Sequence, residues 1–434
     1  MGTPAAGRGE QFDAAQKVYT QQTNTRERLE WYQDMALGMY IFWTLDAQLG
    51  IVEAHSVIGA SDGYLRRYFA DLPQTFNPRH FDAAWYARLA KLCGFDYVCI
   101  CAKNHNGWCA WDTATTEFNV MNTPFGRDIV REFTDAFRAL GIPVSFYFSS
   151  DDAWFTWTKE GQRPSRVRDY SRADRNPALL EYDKAQIREL VDTYESDMLC
   201  FDAIGGPELP LVEYSWSLRP NPMITRGGLP TPEQDLPSDL RGPFEAHYTI
   251  GTQWQYKAGN DTNKTGTELI ELLFRICSLG GTLLLSIGGP DDDGLLPRDK
   301  DNVIRELGLW MFVNGESVRH VRPWHMAGEA SLMYTADADG KTLYVLDTQR
   351  PLGRGERRTI KLTAARATPA TTVEVLGHSG ELLEYDQHFD ARPRHQQTDF
   401  GLVVSYTQSQ RLYNDWRWPN PAIIKLTNVE PASR

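Results

Sequence analysis

No stretch of this 434-residue chain approaches the ~18 consecutive apolar residues that a membrane span needs, so no membrane partner is expected. Long basic runs are also missing. With a formal net charge of −12, the chain would be repelled by a phosphate backbone, and nucleic acid is not an expected partner either. The opening residues, Met1-Gly-Thr-Pro-Ala-Ala-Gly-Arg8, contain no apolar signal core, which leaves secreted, periplasmic and cytoplasmic locations all open. Cysteines number only six, and no two have C-x2-C spacing; Cys99 and Cys101 alternate along one apolar run. Buried free thiols are therefore expected rather than zinc ligands. Among nine histidines there is no His-x3-His pair, so neither a metal nor a cofactor is expected.

What the chain does have is apolar mass. At 41% hydrophobic residues it can bury a large core, and its length suits two or three domains. A (β/α)8 barrel of ~250 residues plus a smaller domain fits that length. Thirteen Trp and nineteen Tyr are many. Most will fill the core, but aromatic faces also stack on the C–H surfaces of sugars.

Residues 1–30 are polar at the start and are expected to be a flexible N-terminal segment, with helical character beginning near Arg26. From about 31 to 326 the pattern alternates. Gly38-Met-Tyr-Ile-Phe-Trp43 reads as a strand. A helix over 82–92 stops at Gly94, and a strand over 95–101 carries apolar residues on both faces, as a parallel sheet requires. Polar Lys103-Asn-His-Asn-Gly107 follows. The unit repeats with helix 128–140 and strand 142–149, then helix 182–194 and strand 198–201. Helix 265–278 and strand 282–287 form a further unit, and helix 299–313 closes the series. Strand–helix alternation with polar residues at the strand ends predicts an α/β fold, a (β/α)8 TIM-like barrel. The Pro- and Gly-rich run 205–252 is too long for an ordinary barrel loop, and long loops are more often functional than not. After 326 short alternating strands take over, near 331–335, 342–346, 358–362, 371–375 and 401–406. They predict a C-terminal antiparallel β-sandwich over 327–434.

Met198-Leu-Cys-Phe-Asp-Ala-Ile-Gly-Gly206 is the stretch around which function is organised. It places Asp202 at the C-terminal end of a strand. In a (β/α)8 barrel all such ends face one mouth, where the chemistry sits. A turn-capping role for Asp202 is the alternative.

Several stretches, taken in order, resemble the α-L-fucosidase family of glycoside hydrolases, family 29. Phe201-Asp202-Ala203 is similar to the family's nucleophile strand end. Lys103-Asn-His-Asn-Gly-Trp108 is similar to its Lys-His-His-Asp-Gly-Phe strand end, and Phe146-Tyr-Phe-Ser149 to its Tyr-Tyr-Ser. Leu283-Leu-Leu-Ser-Ile-Gly-Gly-Pro290 resembles Leu-Leu-Leu-Asn-Ile-Gly-Pro. Phe76-Asn-Pro-Arg-His-Phe-Asp82, Asn314-Gly-Glu316 and Arg322-Pro-Trp324 match as well.

The resemblance implies a retaining exo-glycosidase with two carboxyl groups, one a nucleophile and one an acid/base. Asp202 takes the first role. Glu233, in Thr231-Pro-Glu233, takes the second, with Glu245 as runner-up. The implied substrate contacts are Trp43, Lys103, Asn104, His105, Trp108, Tyr147, Arg226 (with Arg219 as competitor), Glu245 and Trp254. Lys103 is alternatively a structural ion pair. The chain also departs from the family. The His of the family's Phe-Ile-His-Trp-Gly is Phe42, the first His of its His-His pair is Asn104, and its Glu-Trp-Tyr has no clear counterpart near Asp62-Gly63-Tyr64. The expected substrate is an oligosaccharide or glycoconjugate bearing a terminal α-L-fucoside or a related sugar such as L-galactose. The second function class is a degenerate barrel that binds carbohydrate without turnover. A homo-oligomer is left open.

Overall fold

The structure is a computed structural model that describes residues 24–202, 206, 208–219, 221–349, 352, 356–381, 390–408 and 420–432. Of the expected flexible segment, residues 1–23 lie outside the described residues, and 26–30 belong to helix α1 (Arg26–Gln33).

Seven strands form one sheet: β1 (Leu37–Ile41), β2 (Tyr97–Lys103), β3 (Val144–Ser149), β4 (Met198–Asp202), β5 (Met223–Ile224), β6 (Glu245–Thr249) and β7 (Thr282–Ser286). Their order is β5-β4-β3-β2-β1-β7-β6, and every pair is parallel. The helices between them follow from local chemistry. Helix α2 (Ala83–Cys93) starts where the Asp82 side chain accepts from the Trp85 amide, and ends at Gly94, whose φ of 78° suits a residue without Cβ. Helices α3 (Ile129–Arg138) and α4 (Pro177–Asp192) begin at Asp128 and Asn176 caps. Helix α5 (Gly266–Ser278) has a reciprocal Thr265/Glu268 capping box, and α6 (Arg298–Asn314) follows β7.

The sheet is strongly curled. Tyr97 on β2 donates to Glu245 on β6 at 2.7 Å, although three strand spacings separate them. At ~4.8 Å per strand a flat sheet would hold them about 14 Å apart. Cys200 on β4 is five spacings from β6, yet its sulfur lies within 4.8 Å of ligand atoms of Glu245 and His247. The two faces of the curl bury different residues. Tyr40, Tyr97, Cys99, Cys101, Cys200 and Leu284 pack together on the inside. Ile41, Val98, Ile100, Phe146, Leu199 and Leu285 pack outward with helix residues Phe133, Ile187, Leu190, Leu273 and Leu307.

Where eight strands were expected, the sheet contains seven among the described residues. The run 205–252 is also more ordered than a single long loop. It contains the helix Leu209–Ser217, β5, β6 and a segment, 230–234, that runs alongside β6. The Glu245 and His247 amides donate to the Pro230 and Pro232 carbonyls, and the Gln234 amide donates back to His247.

Eight further strands among the described residues are antiparallel. They are β8 (Val321–Glu329), β9 (Leu332–Asp337), β10 (Leu343–Asp347), β11 (Arg357–Leu362), β12 (Ala365–Val375), β13 (Arg394–Thr398), β14 (Gly401–Thr407) and β15 (Ile423–Pro431). Five form a sheet in the order β12-β15-β10-β9-β8, and three form another, β11-β14-β13. Both sheets contribute to one core, in which Tyr334, Val345 and Ile424 meet Ile360, Leu402 and Val404. All five strands expected in this region are present. The boundary expected at 326 falls inside β8.

Candidate active site

The mouth of the curl is built from the residues that end its strands. Asp202 is the last residue of β4, in register with Ser149 on β3. Three donors converge on its carboxylate. The Tyr147 hydroxyl donates to Oδ2 at 2.5 Å, His105 Nε2 lies 3.2 Å from the same oxygen, and a terminal nitrogen of Arg226 lies 2.9 Å from Oδ1. Burial alone would raise the Asp202 pKa. The charges of Arg226, His105 and Arg166 outweigh it and hold the carboxyl well below the usual range. Asp202 is thus a standing anion at neutral pH.

His105 is itself oriented from behind. Its Nδ1 lies 3.1 Å from Asp151 Oδ1 and also meets the Ser149 hydroxyl. Burial disfavours the imidazolium, but Asp151 and Asp202 on either side of the ring raise its pKa overall. Arg166 Nε donates to the other Asp151 oxygen at 3.1 Å.

Arg226 carries a second carboxylate. One terminal nitrogen is on Asp202, and the other contacts Glu233 Oε1. Glu233 sits on the segment beside β6 with its side chain 22% exposed. A single guanidinium therefore bridges the two carboxylates.

These side chains line one cavity of about 300 Å³, the small end of the range for ligand cavities. Its remaining walls are Tyr40, Phe42, Glu53, His55, Asn104, His247 and Trp254. The rings of Tyr40, Phe42, Tyr147 and Trp254 form one contiguous aromatic wall. Glu53 is buried, and its Oε2 has no hydrogen-bond partner among the described residues. Burial, reinforced by Asp46 and Asp202 against the opposing pull of its own amide and His105, pushes its carboxyl up to about 7. His247 reaches the cavity from β6, with Nε2 held 2.6 Å from Glu245. Burial lowers its pKa, but the hydrogen bond and charge of Glu245 raise it by more.

Of the residues expected from the sequence, Asp202, Glu233, Asn104, His105, Tyr147, Arg226 and Trp254 are brought together here. Trp43, Lys103, Trp108 and Glu245 lie elsewhere. Lys103 would face inward with Cys99 and Cys101 if β2 alternated regularly. A register shift between Cys101 and Lys103 sets it opposite the outward-facing Phe148 instead. Fully buried there, its ammonium lies 2.7 Å from Asp183 and 3.5 Å from Asp152, and it stacks over the Phe148 ring. Trp43 donates to the Asp291 carbonyl and packs on Phe76 and Phe81, and Trp108 packs on Phe76 from the other side. Glu245 is buried inside the curl, below the cavity. It accepts from Tyr32 at 3.0 Å, Tyr97 at 2.7 Å and His247. Arg219 caps the Trp216 and Leu218 carbonyls and does not line the cavity.

Tyr40, Glu53, His55, Asp151, Arg166 and His247 were missed. Glu53-Ala-His55 lies nine residues before the Asp62-Gly63-Tyr64 stretch in which a counterpart of the Glu-Trp-Tyr motif was sought. His247 could have been found from its spacing, since two residues along a strand from Glu245 it must share that residue's face.

Among the described residues, Cys200, Glu245 and His247 are the three that could together hold a metal ion. Their ligand atoms lie close together, but Glu245 already has three hydrogen-bond donors and is satisfied without an ion.

A curled parallel sheet whose mouth holds two carboxylates bridged by one guanidinium has the class of site that glycoside hydrolases use. The α-L-fucosidase family model matches residues 8–316. An α-L-fucosidase from Dictyostelium discoideum is 26% identical over 382 residues, which cover 76% of this chain and 80% of that one. The structure of α-L-fucosidase isoenzyme 1 from Paenibacillus thiaminolyticus superposes with a TM-score of 0.70 at 26% identity, covering 92% of this chain and 98% of that one. A trapped covalent intermediate of an α-L-fucosidase from Bacteroides thetaiotaomicron superposes with a TM-score of 0.73 at 23% identity, covering 95% and 98% of the two chains. The chain belongs to the α-L-fucosidase family of glycoside hydrolases.

Proposed function

We propose that this chain hydrolyses a terminal α-L-fucoside, or a sugar of related configuration such as an L-galactoside, with retention of anomeric configuration. The observation that carries this reading is the Arg226 bridge between Asp202 and Glu233. Retaining hydrolysis needs carboxyl groups about 5–5.5 Å apart, and two carboxylates on one guanidinium are compatible with that spacing. In the first step Asp202 attacks the anomeric carbon while Glu233 gives a proton to the departing oxygen. In the second, Glu233 takes a proton from water, whose oxygen attacks the same carbon and releases Asp202. Tyr147, His105 and Arg226 steady the nucleophile between steps. Phe42 cannot hydrogen-bond a hydroxyl, and Asn104 reaches less far than an imidazole. His247, entering from β6, offers the cavity an imidazole from another direction.

The same reading includes the architecture. We take residues 31–326 as a (β/α)8-like barrel, with the segment 230–234 standing in for the missing eighth strand. Residues 327–434 are then a β-sandwich, with β8 running across the junction. Turnover is favoured over carbohydrate binding alone because a passive lectin site has no need of an anion held by three donors.

Glu233→Ala tests the acid/base assignment. With an aryl glycoside, whose leaving group needs little protonation, the glycosyl–enzyme should still form. Added azide should then yield a glycosyl azide of retained configuration, measured by NMR. A specific observation favours a second reading, in which Glu53 is the proton donor: its carboxyl is held up at about 7. Under that reading the azide product comes from Glu53→Ala instead, and kcat/KM falls above about pH 7 as Glu53 loses its proton. Glu53→Gln should abolish that pH limb. A full rate for Glu233→Ala on a poor leaving group rejects Glu233.

A further inference from the structure

Beside the sugar cavity lies a shallower depression of about 520 Å³ whose walls are mostly carbon. It is lined by Ile51, Val52, His55, Gln253 and Lys257, among others. Two features make it continuous with the cavity. His55 belongs to both. The same two segments also wall both, one supplying Glu53 and His55 and the other supplying Trp254 next to Gln253. The segment on the first side is unusually apolar for a surface. Val52, in the wall of the depression, is 44% exposed, and Leu49 and Ile58 of the same segment, outside that wall, are 49% and 41% exposed. Clustered exposed aliphatic side chains of this kind mark binding surfaces, because water penalises them unless something covers them.

We infer that this depression receives the leaving group, and that the leaving group is an apolar alcohol, an alkyl chain or aromatic ring, rather than a second sugar. The inference rests on the hydrolase reading above. The part of a glycoside beyond the scissile oxygen must leave through the mouth of the cavity, and the ground next to that mouth is this depression. A second sugar would require a ring of hydrogen-bonding groups. The polar groups here are few. The Lys257 ammonium is already engaged by the Thr252 hydroxyl at 3.0 Å and the Asn260 carbonyl at 2.7 Å, so its methylene stem is what faces the depression. Gln253, Ser56 and His55, which also faces the sugar cavity, are the remaining polar side chains. Recognition by Ile51 and Val52 is non-directional, so it grows with the apolar area covered and not with any one hydrogen bond.

Methyl, butyl and octyl glycosides of L-fucose and of L-galactose test this directly. Their alcohols have closely similar acidities, so the chemical step is held constant and chain length alone changes. The octyl glycoside should exceed the methyl one at least tenfold in kcat/KM, mainly through KM, and Val52→Ser should flatten that ratio. A fucosylated disaccharide should do no better than the methyl glycoside. Equal kcat/KM for methyl and octyl, or a tenfold advantage for the disaccharide, overturns the inference. If none of these glycosides is hydrolysed, the hydrolase reading fails on its own. The depression is then judged by titration calorimetry with the non-hydrolysable methyl and octyl 1-thio-glycosides. Tenfold tighter binding of the octyl compound supports it, and equal or undetectable binding of that compound overturns it.

Discussion

Asp202→Ala should lower turnover on the order of 10⁴-fold or more, because no covalent glycosyl–enzyme can form without the carboxylate. The loss should be chemical rather than structural. Asp202 is held by Tyr147, His105 and Arg226, and Arg226 keeps Glu233 while His105 keeps Asp151 when Asp202 is gone. The far-ultraviolet circular dichroism and the affinity for sugar should therefore change little compared with the rate. The deleted carboxylate also leaves space on the face from which it attacked. Azide can occupy that space, attack the anomeric carbon of an activated substrate and give a glycosyl azide of inverted configuration. Glu233→Ala gives the retained one, so product stereochemistry separates the two carboxylates even where the lost rates are alike. Undiminished activity in Asp202→Ala rejects the mechanism at its first step.

Lys103→Met should have its largest effect on stability. The ammonium lies fully buried between Asp183 and Asp152, and Asp152 also caps the short helix Ala153–Thr158 by accepting from the Phe155 amide. Burial works against the charge on Lys103, but the two flanking carboxylates hold its pKa above the ordinary lysine value. Removing one member of a buried pair leaves uncompensated charge behind, which typically costs about 3–5 kcal/mol. Against a total folding free energy of about 5–15 kcal/mol, that is a large fraction. Denaturant titration should show a clearly lower unfolding midpoint, while KM of the remaining folded protein should be little changed, since Lys103 does not line the cavity. A variant as stable as the parent but devoid of activity would return Lys103 to the site.

The strands were legible because a parallel strand covered on both faces must be apolar along its length, as β2 and β4 are up to their last residues, Lys103 and Asp202. Helix ends were legible where a cap residue marks them, as at Asp82, Asp128 and Gly94. Asp202, His105 and Tyr147 could be found because a strand's C-terminal end fixes where the side chain goes. Lys103 went astray for the opposite reason: a one-residue irregularity in β2 reverses the face on which it lies, and no residue in Cys99-Ile-Cys-Ala-Lys103 announces it. Glu245 shares a strand with His247, but only the depth of the curl shows that it stops below the cavity, under Tyr32 and Tyr97. Glu53, His55 and Arg166 come from irregular segments that have no period to read. Their position depends on tertiary contacts, such as the bond between Arg166 and Asp151. The eighth barrel strand was expected from a rule about whole folds. Pro230 and Pro232 use their carbonyls to bond β6 but have no amides to offer, which keeps 230–234 from extending into a regular strand.

The central claim is that Asp202 becomes covalently joined to the sugar. The most direct measurement is mass spectrometry of the protein after treatment with a 2-deoxy-2-fluoro-α-L-fucosyl fluoride, followed by peptide mapping. The fluorine at C2 slows both steps, and the reactive fluoride at C1 restores the rate of the first alone, so the adduct should accumulate. One fluorofucosyl group per chain, located on Asp202 and lost again on prolonged incubation, is the expected result. An adduct on another carboxylate, or substrate turnover with no adduct and inversion at the anomeric carbon, would contradict it.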